Sequence, residues 1–256
     1  MTGVQTCALP ISHKGAGGKV LVIGGGPYQG APYLAGLGAL RAGADLVRIA
    51  SPVFEPVPDL IYERLGGEVI GMEHLDRLLE LAGDSDVVVI GNGLGGESHD
   101  VVCRVAEHCK KAVFDADALR RPVPSAEESI YTPHAGEFAR MTGSRPVDGL
   151  ASRARQVKGA AQGGTILLKG PVDVISDGRR VRFNRTGSPA MTVGGTGDVL
   201  AGVAAAIFCH LPAFESACIA AYVTGKAGEA IAAEQGGGLL ASDLPERIPF
   251  ELFRRD

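Results

Sequence analysis

The sequence predicts an α/β fold: a doubly wound, mostly parallel sheet flanked by helices on both faces. Strand-length runs of Val, Ile and Leu, apolar on both faces, alternate with helical stretches along nearly the whole chain. Strands inside a parallel sheet covered by helices have this pattern. The composition agrees: 256 residues, 45% hydrophobic and 21% charged, can bury a core and lack the compositional signature of disorder.

In chain order, KVLVIGG (19–25) is the first expected strand, and the small-residue stretch 31–43 is the helix after it. DLVRIAS (45–51), DVVVIGNG (86–93), KAVFDAD (111–117), SIYTPH (129–134) and GTILLKG (164–170) repeat the strand pattern. The stretches 73–82, 98–109, 135–142 and 151–162 supply the crossover helices. VDVISDG and RRVRFN, joined at Asp177-Gly178, read as an appended β-hairpin, because Asp-Gly suits a two-residue turn. Helices at 198–210 and about 213–234 follow. No Pro- or Ser-rich linker divides the chain and no internal repeat is visible, so 13–256 is expected to be a single domain.

A net charge of −4 implies no basic face for nucleic acid. No apolar run reaches the roughly eighteen residues that span a bilayer; the longest, Val199 to Cys209, is broken by Gly202 and reads as a buried helix. No membrane partner is expected. The five cysteines show no CxxC spacing and read as isolated thiols of a cytoplasmic protein. The opening MTGVQTCALPIS lacks the basic and long apolar regions of a signal peptide. Its TGVQTCALPI back-translates into a sequencing-library adapter, so residues 1–12 are expected to be a non-native assembly scar, with the native protein extending upstream of His13.

Ligands of open α/β sheets bind outside the carboxyl ends of the strands. Here those exits are GGGPYQGAP, GNGLGG, DADAL, TPHAGE and KGPVD, joined by GGTGD at the start of the 198–210 helix. A helix's first turn offers unpaired N–H groups and partial positive charge, so Gly194, Gly195, Thr196 and Gly197 form an anion cradle. Asp198 beside it either complements the helix dipole or moves a proton. A lysine ending a buried strand, as Lys169 does, either snorkels to solvent or meets an anion. GxxxxGK[ST] is absent, and Gln29 stands where the third glycine of GxGxxG would fall, which demotes both Walker and Rossmann readings.

In order, HKGAGGKVLVIGG, GNGLG, FDADAL, TPHAGEFARMTG, LLKGPVD and GGTGDVLAG resemble the ADP-dependent NAD(P)H-hydrate dehydratases of the ribokinase-like superfamily, from His13 almost to the C-terminus. The resemblance implies a ribokinase-like fold and nucleotide-driven dehydration of the (6S) hydrates NADHX and NADPHX, yielding NADH or NADPH, AMP and phosphate. Water leaves poorly, so the ring hydroxyl would first be phosphorylated, and phosphate would then depart with help from the ring nitrogen. Asp198 would deprotonate that hydroxyl, and the Gly195, Thr196 and Gly197 amides would stabilise the transferring phosphoryl group. The resemblance puts Lys169, Gly170, Pro171, Val172 and Asp173 on the nucleotide, and Ala31, Gly95 and His134 on the hydrate. Glu137 would hold water around Mg²⁺ or cap its helix, and Asp115 and Asp117 would face the site or brace loops.

Mg²⁺ and ADP, or ATP, are the implied cofactor and co-substrate, and a homotetramer the implied assembly. A fused or separate epimerase for the (6R) hydrate is the implied partner. Asn92 stands where many family members have proline, and with no Trp in the chain, aliphatic contacts would replace stacking on the adenine. Two other readings share the glycine loop: a hydroxymethylpyrimidine or hydroxyethylthiazole kinase, and a non-catalytic nucleotide sensor. The HKG start and TPHAGEF favour the dehydratase over the kinases, and Asp198 argues against the sensor.

Overall fold

The computed structural model describes residues 17–253; the segment 1–12 singled out above, and the HKGA that follows it, lie outside them. The nine described strands form one sheet: β1 Lys19–Ile23, β2 Leu46–Ser51, β3 Ile61–Arg64, β4 Val87–Ile90, β5 Lys111–Phe114, β6 Glu128–Tyr131, β7 Thr165–Leu168, β8 Asp173–Ser176 and β9 Val181–Asn184. Their spatial order is β3-β2-β1-β4-β5-β6-β7-β8-β9. Pairing is parallel from β3 to β7, while β7 with β8 and β8 with β9 are antiparallel. The expected hairpin is therefore the β8–β9 edge of the sheet, though residues 177–180 form its loop rather than Asp177-Gly178 alone, and the doubly wound, mostly parallel arrangement is observed.

The helices are α1 Ala31–Arg41, α2 Leu75–Gly83, α3 His99–Ala106, α4 Ala135–Thr142, α5 Leu150–Ala160, α6 Thr196–Phe208, α7 Ala213–Gln235 and α8 Asp243–Leu252. Alternate strand residues feed two apolar layers, as a period of two requires. Val20 and Val22 join α1, α6, α7 and α8 on one face, and Leu21 and Ile23 join α2, α3, α4 and α5 on the other. Every residue of α6 from Val199 to Phe208 is buried. Gly202 does not interrupt that helix; it lets α6 cross α1, because a Cβ there would collide with the Ala35 carbonyl oxygen. Among the described residues no helix is long and apolar enough to cross a membrane.

Two elements lie beyond the sequence expectation. β3 is a half-exposed edge strand, IYER, whose polar residues hide the apolar signal used for the other strands. α8 carries Pro245 in its first turn and Pro249 inside it, which weakens the helical pattern. Two observed strands are shorter than their apolar runs for one reason. In KVLVIGG and DVVVIGNG the ladder ends at Ile23 and Ile90, where the exit glycines turn the chain away.

Candidate active site

The chain runs from β1 outward to β2 and β3, then returns across β1 to β4, so the β1–β4 crevice is the topological switch point. The exit loops there are tied backbone to backbone, with Gly25 N donating to Asn92 O at 2.9 Å. Neighbouring exits are stitched the same way: Asp115 N donates to Ile90 O (3.1 Å), Thr132 N to Phe114 O (3.1 Å) and Lys169 N to Pro133 O (2.8 Å). The result is a continuous rim of loop backbone at the carboxyl ends of five parallel strands, β1, β4, β5, β6 and β7.

The first turn of α6 points into this rim. Gly195, at φ +98°, sits in the left-handed region that glycine tolerates, and a Cβ there would meet Leu34 at 2.6 Å and Ala241 at 2.8 Å. The Thr196, Gly197 and Asp198 amides open the helix without intrahelical partners. The Thr196 hydroxyl turns back on its own loop, donating to Met191 O (3.0 Å) and Val193 O (3.2 Å), so this residue offers its amide rather than its side chain. A Cβ on Gly197 would lie 2.9 Å from Lys169 Nζ, so the lysine reaches over the helix start.

A polar cluster surrounds that point. Lys169 Nζ donates to Asp115 Oδ1 at 3.0 Å and lies 3.7 Å from Glu137 Oε2. Thr132 Oγ1 donates to the same Asp115 oxygen at 2.8 Å. Asn92 Nδ2 donates to Asp198 Oδ1 at 2.7 Å and to Asp115 Oδ2 at 3.2 Å. Burial, then the nearby Asp115 carboxylate, pushes the Asp198 carboxyl up to about 7, against the opposing pull of the Asn92 hydrogen bond and Lys169. Burial also raises Glu137, with Lys169 opposing it. Burial pulls Lys169 down, but Asp115 and Glu137 outweigh it and hold the ammonium above its ordinary range. Asp198 is thus a half-buried acid that can exchange a proton near neutrality, more than a surface carboxylate complementing a dipole.

The fold gives each of these acids a place. Asp115 faces the cluster, whereas Asp117 braces the loop after β4 by accepting from Gly95 N at 2.8 Å. Glu137 caps α4 reciprocally: its Oε2 accepts from His134 N at 2.7 Å, and His134 Nδ1 accepts from Gly136 N (2.9 Å) and Glu137 N (3.3 Å). The His134 side chain remains 60% exposed at the rim. Ala31 begins α1, and its Cβ lies 3.2 Å from the position a Gly93 Cβ would take, so Ala31 and the Gly95 loop meet at the switch point.

Gly170 to Asp173 forms a tight turn in which Asp173 Oδ1 accepts from Gly170 N at 3.0 Å and Oδ2 accepts from Asn184 at 2.9 Å. Burial raises the Asp173 carboxyl, and its two hydrogen bonds shape the turn. Lys169 to Val172 line a cleft of about 540 Å³ whose opposite wall is α4, Arg145, Pro146 and Arg153. Sequence reading missed Thr132, Arg145 and Arg153, and it noted Asn92 only as a departure. Asn92 and Thr132 meet acids on other strand exits, so no local spacing marks them, and the two arginines carry no motif of their own.

A family model described as NAD(P)H-hydrate dehydratase matches residues 20–250. The bifunctional NAD(P)H-hydrate repair enzyme of Methanospirillum hungatei is 60% identical over 245 residues, covering 96% of this chain but 51% of that protein. The chain thus spans about half the length of that relative. The ADP-dependent (S)-NAD(P)H-hydrate dehydratase of Cenarchaeum symbiosum is 41% identical over 256 residues, covering 93% of this chain and 89% of its own. Among solved structures, the ADP/ATP-dependent NAD(P)H-hydrate dehydratase of Bacillus subtilis, crystallised with ATP and Mg²⁺, superposes with a TM-score of 0.79 at 31% identity, covering 96% of this chain and 92% of that one.

Proposed function

Because the chain belongs to the NAD(P)H-hydrate dehydratase family, with its ribokinase-like fold, we propose that it repairs damaged nicotinamide nucleotides, using ADP to dehydrate (6S)-NADHX and (6S)-NADPHX. The observation that carries this reading is the meeting of a glycine cradle at a helix start, a lysine from a distant strand exit and a half-buried acid poised near neutrality. Residues 13–256 act as one domain in this reading.

Asp198, largely ionised above about pH 7, takes the proton from the hydrate's ring hydroxyl. The freed oxygen attacks the terminal phosphoryl group of the nucleotide, whose developing charge meets the amides of Gly195, Thr196 and Gly197 and the Lys169 ammonium. The carbon–oxygen bond then breaks, the ring nitrogen's lone pair supplies the electrons, and phosphate leaves. Loss of a ring proton restores the dihydropyridine. Gly170, Pro171 and Val172 line the nucleotide's path, with Asp173 bracing that turn. Ala31 and Gly95, at the switch point, and His134, at the exit of β6, hold the hydrate.

Mg²⁺ supplies charge neutralisation on the phosphates when bound. Among the described residues no group of three or more His, Cys, Asp or Glu side chains is arranged to hold a metal ion. A homotetramer, a cytoplasmic location and a fused or separate epimerase complete the proposal. The bifunctional relative, about half of whose length the chain spans, supports the last of these. The test is absorbance at the reduced-nicotinamide band with enzymatically prepared NADH hydrate, Mg²⁺ and either ADP or ATP. Recovery of NADH with ADP and little with ATP is expected; no recovery with either nucleotide overturns the proposal.

A further inference from the structure

Asn92 is fully buried, and its side-chain amide stands between two acids that are 198 − 115 = 83 positions apart in the chain. Its nitrogen donates to Asp198 at 2.7 Å and to Asp115 at 3.2 Å, while its Oδ1 is buried with no hydrogen-bond partner. A buried acceptor left unpaired is destabilising. Such a group calls for an explanation, and the geometry supplies one. Turning the amide over would aim its oxygen at two carboxylates, so the side chain keeps its only donors on the acids and leaves the oxygen unpaired.

We propose that Asn92 is the positioning residue for the proposed base: it holds the Asp198 carboxylate oriented at the mouth of the α6 cradle and stabilises its ionised form against the facing carboxylates. This rests on the assignment of Asp198 as the base. Lys169 alone does not fill the role. Its ammonium is hydrogen-bonded to Asp115 and pairs with Glu137, the other charged groups that face this cluster from β5 and α4. Asp115 is further committed to Thr132 from the end of β6. Asn92, from the loop after β4, is thus the one side chain among the described residues that donates a hydrogen bond to Asp198. Removing a donor that favours the ionised form of an acid raises its proton affinity.

The test replaces the donor while keeping the volume, in Asn92→Leu, and repeats the measurement in Asn92→Ala in case the larger side chain does not fold. The titration of the Asp198 carboxyl carbon is followed by NMR in carbon-labelled protein, with its signal identified by its absence in Asp198→Asn. The expected result is a midpoint about half a unit or more higher than in the wild type, a threefold or larger gain in proton affinity. The ascending limb of kcat against pH should move the same way while KM for the nucleotide stays within about twofold. An unmoved or lowered Asp198 midpoint in a folded variant overturns the inference. The titration needs no turnover, so it separates failure of this inference from failure of the proposed reaction.

Discussion

Asp198 makes opposite demands on activity and stability, and the two can be measured apart. Its folded carboxyl titrates at about 7, above the ordinary carboxylate value near 3.8, so the folded state favours the protonated form. The sign follows: stability falls as pH rises from about 4 through about 7, because folding then confines a charge that the unfolded chain solvates freely. Asp198→Asn removes that burden. Urea denaturation at about pH 8 should find the variant more stable by roughly 1–3 kcal/mol, with the gap closing towards pH 4. Turnover should fall by two or more orders of magnitude while nucleotide binding by calorimetry persists, as loss of a general base requires. Wild-type turnover in that variant removes Asp198 from the mechanism. Lys169 is predicted to behave differently. Lys169→Met strands Asp115, 3% exposed, without its cation, so the fold should lose about 3 kcal/mol and KM for the nucleotide should rise at least tenfold.

At the scale of elements, α6 carries the most testable packing. Its small residues let α1 approach, and a Cβ on Gly38 would stand 2.5 Å from the Val199 carbonyl oxygen. Gly202→Ala drives a methyl into the α1 backbone and should destabilise the fold by about 3 kcal/mol. Gly159 lies in exposed α5 with open space where its Cβ would be, so Gly159→Ala should stabilise by a few tenths to about 1 kcal/mol. Equal and small effects at both positions, in parallel urea melts, would contradict this account of the α1–α6 crossing. The same elements show what local sequence carries. The strands buried on both faces and α6 announce themselves through continuous apolar runs, because burial on all sides leaves no polar residue to blur the pattern. β3 and α8 do not: one has only exposed and half-buried residues at an edge, and the other interrupts its apolar face with Pro245 and Pro249.

For the whole molecule, the site is assembled by a strand order that no local segment encodes. The glycine cradle and Lys169 were legible because an anion site needs recognisable residue types at a helix start and a strand exit. The pairing of Asn92 with Asp198 joins residues 106 positions apart. It exists only because β4, β5 and β7 bring their carboxyl ends to one rim beneath α6. The choice between Asp115 and Asp117 was open for the same reason, since both follow one strand and only the fold decides which points inward. In the proposed reaction this rim transfers a phosphoryl group to the hydrate's own hydroxyl before that oxygen leaves. The most direct measurement follows the oxygen: NADH hydrate carrying heavy oxygen at the ring hydroxyl is turned over with ADP, and the phosphate released is analysed by mass spectrometry. Label in the phosphate, one atom per NADH formed, is the predicted result. Label in water, with unlabelled phosphate, would contradict the mechanism even if NADH were recovered.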